Sequence, residues 1–168
     1  VIDADAITLL AQSGEATGPL AGDWVLTPHP GALARFLDAT VPEVLADPYA
    51  AAAEVAERFG AVVVLKGHVT YVLAPGVNDD TVHSVEPSLS VVDGMQPWLA
   101  TGGSGDVLAG VIGALLASRQ LSAYLAACAG VLLHAAAARS LYNERGWFLA
   151  EDLLQALPRV ATYVLEIG

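Results

Sequence analysis

Basic residues and cysteine are both scarce in this chain of 168 residues. Seven Lys and Arg stand against 18 Asp and Glu, so the formal net charge is −11. A nucleic-acid groove or a site for an anionic membrane surface needs a basic face, and this charge argues against both partners. Cys128 is the single cysteine, which excludes a disulfide framework and a cysteine-based metal site. We expect Cys128 to be an inert core thiol in a reducing, cytoplasmic protein.

Apolar side chains are abundant, at 55% of the residues. That fraction excludes disorder, and at this length it is typical of one domain with a sizeable core. Residues 120–138 carry no formal charge and are long enough to raise the question of a membrane span. Because the stretch is rich in Ala and has Ser122, Tyr124 and His134 inside it, we expect a buried core helix and no membrane partner.

Short apolar strands alternate with helical patterns along the chain. Strands are predicted at 1–2, 24–26, 61–65, 69–73 and 89–92, and helices at 4–11, from 32 to 37, at 48–59, and over most of 104–164. Asp47 and Gly60 occupy the cap positions of the helix at 48–59, whereas Pro42 and Pro48 break the preceding segment. Helices interleaved with short strands predict a layered α/β fold.

A run of small residues, Gly102-Gly103-Ser104-Gly105, leads into Asp106 and then into a helix. The helix is predicted from an apolar stripe formed by Val107, Leu108, Val111, Ile112, Leu115 and Leu116. Such a turn leaves backbone N–H groups free at a helix N-terminus, where phosphate commonly binds. No Lys follows the glycines, so this is not the phosphate loop of the common nucleotide hydrolases. A plain turn capped by Asp106 remains the alternative interpretation.

Two further loops, TPHPG at 27–31 and LKGHVT at 65–70, follow predicted strands, where open α/β sheets bind ligands. Lys66, the only lysine, could neutralise phosphate oxygens or could lie on a surface turn. His29 stands between two prolines, so its stiff backbone could aim the ring into a cleft or simply expose it. His68 and His83 lack metal-ligand spacing, and His134 is expected in the core. We therefore predict no zinc or iron site, and Mg²⁺ that arrives with a nucleotide.

The three loops, in this order, resemble a known family. The segments VIDADAITLL, VLTPHPGALARFL, AVVVLKGHVTYVLAPG and LATGGSGDVLAGVIGALLA are similar to the carbohydrate-kinase-like domain of NAD(P)H-hydrate dehydratases, in the ribokinase-like superfamily. The resemblance covers nearly the whole chain and implies a ribokinase-like layered α/β/α sandwich. We expect residues 1–168 to be the C-terminal portion of one such domain, whose N-terminal part is missing.

The resemblance implies a lyase of metabolite repair. Such enzymes use Mg²⁺ with ADP or ATP to remove the water wrongly added to the nicotinamide ring of NADH or NADPH, by phosphorylation of the ring hydroxyl and loss of phosphate. Asp106 is implied as the catalytic acid–base residue and a substrate contact, and His29 as a further contact to the hydrated nicotinamide. The nucleotide is implied to be bound by Lys66, Gly67, His68, Val69, Thr70, Gly102, Gly103, Ser104 and Gly105.

The chain departs from the family pattern at two places. Ala32 stands where Glu commonly follows His-Pro-Gly, and Met95-Gln96-Pro97-Trp98 stands where Gly-Asn-Pro-Gly is common. We expect the bulky Trp98 to narrow or reshape the mouth of the pocket.

Two other functions remain open at this point, a small-molecule hydroxyl kinase of the same superfamily and a non-catalytic nucleotide-binding module. Many members of the family carry a fused upstream epimerase domain, which would be a further partner. The apolar, Ala-rich helices could also support a homo-oligomer.

Overall fold

A computed structural model describes residues 1–12, 19–20, 22–79, 82–85, 88–93 and 97–167. The helices are α1 (Ala4–Gln12), α2 (Pro30–Leu37), α3 (Val41–Ala46), α4 (Pro48–Phe59), α5 (Ser104–Ala117), α6 (Ala123–Arg145) and α7 (Ala150–Ile167). The strands are β1 (Val25–Leu26), β2 (Val62–Leu65), β3 (Val69–Ala74), β4 (Val77–Asp79), β5 (Val82–Val85) and β6 (Ser88–Asp93), and a 3₁₀ helix spans Pro97–Ala100.

The main sheet places several strand ends on one edge. Its order is β1-β2-β3-β6, with β1 and β2 parallel and the other two pairs antiparallel. Ile2 adds an isolated parallel bridge to Leu26, which matches the predicted strand stub. The residues that follow Ile2, Leu26 and Leu65 therefore leave the sheet at the same edge.

Helices cover both faces of this sheet. Val63 and Leu65 of β2 pack in one buried cluster with residues of α1, α2 and α4, whereas Val62 and Val64 pack in a second cluster with residues of α5 and α6. Successive side chains of a strand point to opposite faces, so a strand covered on both faces is apolar throughout. This explains the run of valines and confirms the predicted α/β/α layering.

Helix α6 is long and apolar enough to cross a membrane, judged by length and composition. Within the protein, however, 44% of its most apolar window is buried. Ala127 and Val131 pack under the sheet, and Ala137 and Leu141 pack in a cluster with α7. We conclude that α6 is a core helix, as predicted from its Ala-rich composition.

Most predicted helix boundaries are confirmed, but the start of α3 and a β hairpin were not predicted. Helix α4 has the expected N-cap, in which Ala50 N donates to Asp47 Oδ1 at 2.9 Å, and Gly60 follows it at φ +57°. Pro42 does not break the chain but lies in the first turn of α3, where a missing N–H costs nothing. The hairpin of β4 and β5 was not predicted from the turn residues that flank it.

Candidate active site

Hydrogen bonds tie together the loops that follow the parallel strands. Thr27 N donates to Ile2 O at 3.0 Å, and Lys66 N donates to Pro28 O at 2.8 Å. Thr27 is fully buried. The segment at 27–28 is therefore bonded to the strand stub through Thr27 and to the loop after β2 through Pro28. The structure thus brings the TPHPG and LKGHVT loops together with Asp3, as expected at the carboxyl edge of an open sheet.

The glycine-rich turn enters α5 without a side-chain cap. Gly103 is the N-cap, at φ +88°, and no side chain accepts from the first turn within the described part of the chain. Ser104 N donates to Thr101 O and Val107 N to Gly103 O, at 3.3 and 3.1 Å. The N–H groups of Gly105 and Asp106 have no acceptor among the described residues, and they lie at the positive end of the helix dipole. The helix begins at Ser104, so Asp106 is not the N-cap, which favours the anion-site interpretation.

The two positions before α5 that hold glycine differ in whether the structure requires glycine there. A Cβ at Gly103 would lie 3.2 Å from Ala150 Cβ, at the start of α7, and the positive φ would strain any other residue. A Cβ at Gly102 would meet no described atom within 4 Å. Only Gly103 is therefore required by the backbone conformation of the turn.

Lys66 lies directly against this turn. Its Nζ would be 3.1 Å from a Cβ placed on Gly105, so the absence of a side chain there lets the ammonium approach the helix N-terminus. Asp3 Oδ1 accepts from the same Nζ at 2.7 Å. An ammonium has three N–H donors, so Lys66 can bind an anion while Asp3 orients it. Asp3 was missed by sequence reasoning, although a carboxylate directly after a strand stub was a usable signal.

His29 caps α2 with its own ring. Ala32 N donates to Nδ1 at 3.2 Å, which leaves Nε2 as the protonated ring nitrogen. Burial, aided by the nearby charges of Lys66 and Arg35, holds the pKa of His29 below its ordinary value of 6.5. A Cβ at Gly31 would lie 3.0 Å from His29 Cε1, so glycine there leaves space for the ring. His29 is exposed, and it lines both of the clefts described next.

Two clefts of about 700 Å³ each meet at this edge. The first cleft is lined by His29, Lys66, Gly67, His68, Thr70, Pro97, Leu99, Ala100, Thr101, Ser104, Gly105, Leu108 and His134. Lys66 has the only formal charge in that lining when the histidines are neutral, so the first cleft favours an anion with an apolar portion.

The second cleft has a different character. Its lining includes three carboxylates, those of Asp3, Asp5 and Asp106, together with the guanidinium of Arg35. His29, Lys66 and Gly105 line both clefts and form a shared wall between them. The two clefts are therefore adjacent, with Lys66 and Gly105 at their boundary.

The predicted nucleotide-binding residues divide into those that line a cleft and those that do not. Lys66, Gly67, His68, Thr70, Ser104 and Gly105 line the first cleft, and Gly103 lines the second. Val69 and Gly102 line neither. Val69 opens β3 opposite Asp93 on β6, and the alternation of strand side chains sends Thr70 towards the cleft instead.

The side chain of Ser104 is hydrogen-bonded within the protein. Its hydroxyl donates to Leu99 O at 2.6 Å and its side chain is buried. The side chain therefore stabilises the turn, and the backbone N–H also bonds within the protein, to Thr101 O at 3.3 Å.

No group of three or more His, Cys, Asp and Glu side chains suited to a metal ion occurs among the described residues. His83 was predicted to lack a role in metal binding, but its side chain lies outside the described ones. Cys128 is a half-buried free thiol that packs against the cluster beneath the sheet, and its inertness stays a prediction.

A family model described as NAD(P)H-hydrate dehydratase matches residues 1–159. The chain belongs to this family. A Neisseria meningitidis ADP-dependent (S)-NAD(P)H-hydrate dehydratase is 42% identical over 148 residues, which cover 87% of this chain and 46% of that protein. The Escherichia coli bifunctional NAD(P)H-hydrate repair enzyme Nnr is 41% identical over 161 residues, covering 94% of this chain and 28% of that enzyme.

Solved structures of the family have the same fold. A Bacillus subtilis ADP/ATP-dependent NAD(P)H-hydrate dehydratase, co-crystallised with ATP and Mg²⁺, has a TM-score of 0.73 at 28% identity, over 96% of this chain and 53% of that one. This similarity confirms the predicted ribokinase-like architecture. The chain spans about half of the solved structure, and 46% and 28% of the two curated relatives.

The two departures from the NAD(P)H-hydrate dehydratase pattern differ in their position relative to the clefts. Ala32 is buried on the wall of the second cleft, so no carboxylate is present at that point of the wall. Trp98 is 46% exposed and is not part of either lining, although its neighbours Pro97 and Leu99 line the first cleft. The expectation that Trp98 reshapes the mouth is therefore not supported by its position. Met95 and Gln96 lie outside the described residues.

Proposed function

We propose that this chain carries the phosphoryl-transfer site of a nucleotide-dependent NAD(P)H-hydrate dehydratase. In this proposal the first cleft holds ADP or ATP and the second holds the hydrated nicotinamide of NADH or NADPH. The wall shared by the two clefts carries the proposal, because it places the free first turn of α5 and the Lys66 ammonium between them.

The donor phosphate would bind on the first-cleft side of this wall. The N–H groups of Gly105 and Asp106 and the ammonium of Lys66 are donors that suit the oxygens of a transferring phosphoryl group. Gly67, His68 and Thr70 would contact the rest of the nucleotide from the neighbouring loop. Gly103 would serve through its backbone conformation and Ser104 by anchoring the turn. Val69 and Gly102 line neither cleft, so only their main chain would support the two loops.

The acceptor would be the ring hydroxyl in the second cleft. Asp106 accepts the proton of that hydroxyl while the hydroxyl oxygen attacks the terminal phosphorus of ADP or ATP. The phosphoanhydride bond breaks, and AMP or ADP leaves. The lone pair of the ring nitrogen then expels phosphate from the carbon that carried the hydroxyl. Loss of a proton from the neighbouring ring carbon restores the carbon–carbon double bond of the reduced nicotinamide. His29 would contact the hydrated ring through its protonated Nε2.

Mg²⁺ would enter this site on the nucleotide. The described side chains present no ready-made cluster of metal ligands, so phosphate oxygens and water would supply most of the coordination. The ion would neutralise charge on the donor phosphates, and Asp106 would stay available for the proton.

Hydrated NADH offers a direct test. The full-length protein is incubated with hydrated NADH, magnesium and either ADP or ATP, and the absorbance of the reduced nicotinamide is followed. We expect recovery that requires a nucleotide and is lost in Asp106→Asn, and the nucleotide that supports it identifies the donor.

Two outcomes contradict the proposal. If nucleotide is consumed and a stable phosphate ester accumulates, the site belongs to a small-molecule hydroxyl kinase. If ADP and ATP bind but neither is consumed with hydrated NADH, the chain is part of a non-catalytic nucleotide-binding module.

Four further features stay predictions. Residues 1–168 are expected to form the C-terminal portion of the ribokinase-like domain, and a fused epimerase domain is expected upstream, which the bifunctional E. coli relative supports. A homo-oligomer and a cytoplasmic location are expected as well. Sedimentation and mass measurement of the natural protein would test the first three.

A further inference from the structure

A buried histidine on α6 lies against the turn that precedes the proposed site. His134 is 7% exposed, and its Nε2 lies 3.0 Å from the backbone oxygen of Ser104. A carbonyl oxygen only accepts, so Nε2 carries the proton and donates it to Ser104. The ring also lines the first cleft, next to Ser104 and Leu108.

Ser104 is the point at which the turn is anchored. Its hydroxyl donates to Leu99 O at 2.6 Å and its N–H to Thr101 O at 3.3 Å, so two contacts come from the preceding segment. His134 adds a third contact, from a helix distant in sequence. Since Gly105 and Asp106 follow at once, any tilt of Ser104 would re-aim their free N–H groups.

A glycine one helical turn before His134 permits this contact. A Cβ at Gly130 would lie 2.5 Å from Ile112 Cγ1 and 3.5 Å from the Ile112 backbone, so only glycine lets α6 approach α5 so closely. Residues four apart lie on the same face of a helix, and the close approach at Gly130 therefore brings His134 within reach of α5.

The surroundings of His134 favour a neutral ring. Burial lowers its pKa below the ordinary value of 6.5, the bond to Ser104 opposes this, and the charge of Lys66 adds to the lowering. A neutral ring can remain buried without an ion-pair partner and still donate from Nε2.

We propose that His134 is a positioning residue for phosphoryl transfer. Its Nε2–H holds the Ser104 carbonyl and so fixes the direction of the Gly105 and Asp106 N–H groups. The part that concerns phosphate rests on the proposed function, whereas the bracing of the turn does not.

The test compares two substitutions at one position in the full-length protein. His134→Gln keeps an N–H donor near the position of Nε2, whereas His134→Leu fills the space without one. Leu141→Ala, on the same helix but in the cluster against α7, is the matched control for loss of core packing. The measurements are hydrogen exchange of the amides in 102–107, the Kd for ADP, and kcat and KM with hydrated NADH.

We expect His134→Leu to speed amide exchange in 102–107 and to raise the Kd for ADP about ten-fold, the effect of losing one buried hydrogen bond. His134→Gln should restore both values to within roughly three-fold of wild type. Leu141→Ala should lower the melting temperature and leave both values unchanged.

Faster exchange in His134→Leu supports bracing even if the wild-type protein does not bind ADP. Failure of the wild-type protein to bind ADP contradicts the proposed function alone. The positioning role is overturned if His134→Leu loses stability as Leu141→Ala does while exchange in 102–107 stays at the wild-type rate. It is equally overturned if His134→Gln is as impaired as His134→Leu.

Discussion

The N-terminus of α5 differs from those of α3, α4 and α6, although all four start after a polar or small residue. Thr40, Asp47 and Ser122 each accept a hydrogen bond from the first turn of the helix that follows, and Thr40 completes a capping box with Glu43. At α5 the cap is Gly103, which has no side chain to offer. A side chain thus accepts from the first turn of three of these helices, whereas at α5 the N–H groups of Gly105 and Asp106 have no acceptor among the described residues.

This difference separates structural helix ends from one that is available to a ligand. Free donors at a helix N-terminus cost stability unless solvent or an anion satisfies them. At α5 the open turn is braced from behind by Ser104 and His134 and faced by Lys66. Bracing without capping is what an anion site requires, because donors must be both fixed in direction and unoccupied.

Asp106→Asn should give the largest effect. The amide keeps the shape of the first turn of α5 but cannot take the hydroxyl proton, so turnover of hydrated NADH should fall about 10²- to 10⁴-fold. Binding of ADP, measured by calorimetry, should change little because the helix N-terminus is intact. Asp23→Asn, at an exposed carboxylate that lines neither cleft, is the control. Turnover that survives in Asp106→Asn would show that the open turn serves another chemistry.

Lys66→Met should weaken binding of ADP by roughly 10- to 100-fold, the size of a lost charge-assisted hydrogen bond. The loss also leaves Asp3 unpaired beside the phosphates, which adds to the effect. Arg139→Met, at an exposed cation that lines neither cleft, controls for net charge. An unchanged Kd would mean that Lys66 pairs with Asp3 and contributes nothing to nucleotide binding.

The paired variants Gly103→Ala and Gly102→Ala test whether the uncapped turn needs its conformation. Gly103 has φ +88° and no room beside Ala150, so its substitution should lower the free energy of unfolding by about 1–3 kcal/mol and weaken ADP binding. Gly102→Ala should cost roughly 0.5 kcal/mol or less, because its Cβ meets open space. Chemical denaturation compares them, and equal losses would contradict the distinction.

Asp47→Ala tests the comparison at α4, a helix whose N-terminus is capped by a side chain. Removing this N-cap should lower the free energy of unfolding by about 1 kcal/mol, since Ala50 N loses its acceptor. The Kd for ADP should stay at the wild-type value, in contrast with Gly103→Ala. Glu54→Ala, exposed on the same helix, serves as the control. A change in ADP binding in Asp47→Ala would show that the helix ends are not independent.

We expect the smallest effect from a fall in pH, which should lower the free energy of unfolding through the two histidines at the site. The pKa values of His29 and His134 lie below 6.5 in the folded protein, so the unfolded chain takes up protons at a higher pH. Their contribution to stability is complete above the unfolded value and is lost as the pH falls through the lowered values. Denaturation between about pH 8 and pH 5.5 should show this fall in wild type and a smaller one in His29→Asn with His134→Gln. An identical fall in both proteins would assign the effect to other groups.

Much of the fold and part of the site were predictable from local pattern. The valine run of β2, the Asp47 cap and the glycine after α4 each depend on residues close in sequence, and each prediction is confirmed. The hairpin of β4 and β5 and the start of α3 were missed, because turn residues and proline are compatible with more than one local structure. His29 and Lys66 were candidates from their loops, but their orientation could not be predicted.

The sequence by itself determined the α/β layering and the three loops at the ligand-binding end of the sheet, because strand periodicity, glycine and helix caps act over a few residues. The family was identified from the sequence as well, through the resemblance of whole segments. Only the tertiary structure decided that Asp3 orients Lys66, that Lys66 reaches Gly105, and that His134 donates to Ser104. These contacts join residues 63 and 30 positions apart in two of the cases. They exist because parallel strands end at one edge and because Gly130 lets α6 approach α5, and no local pattern contains that information.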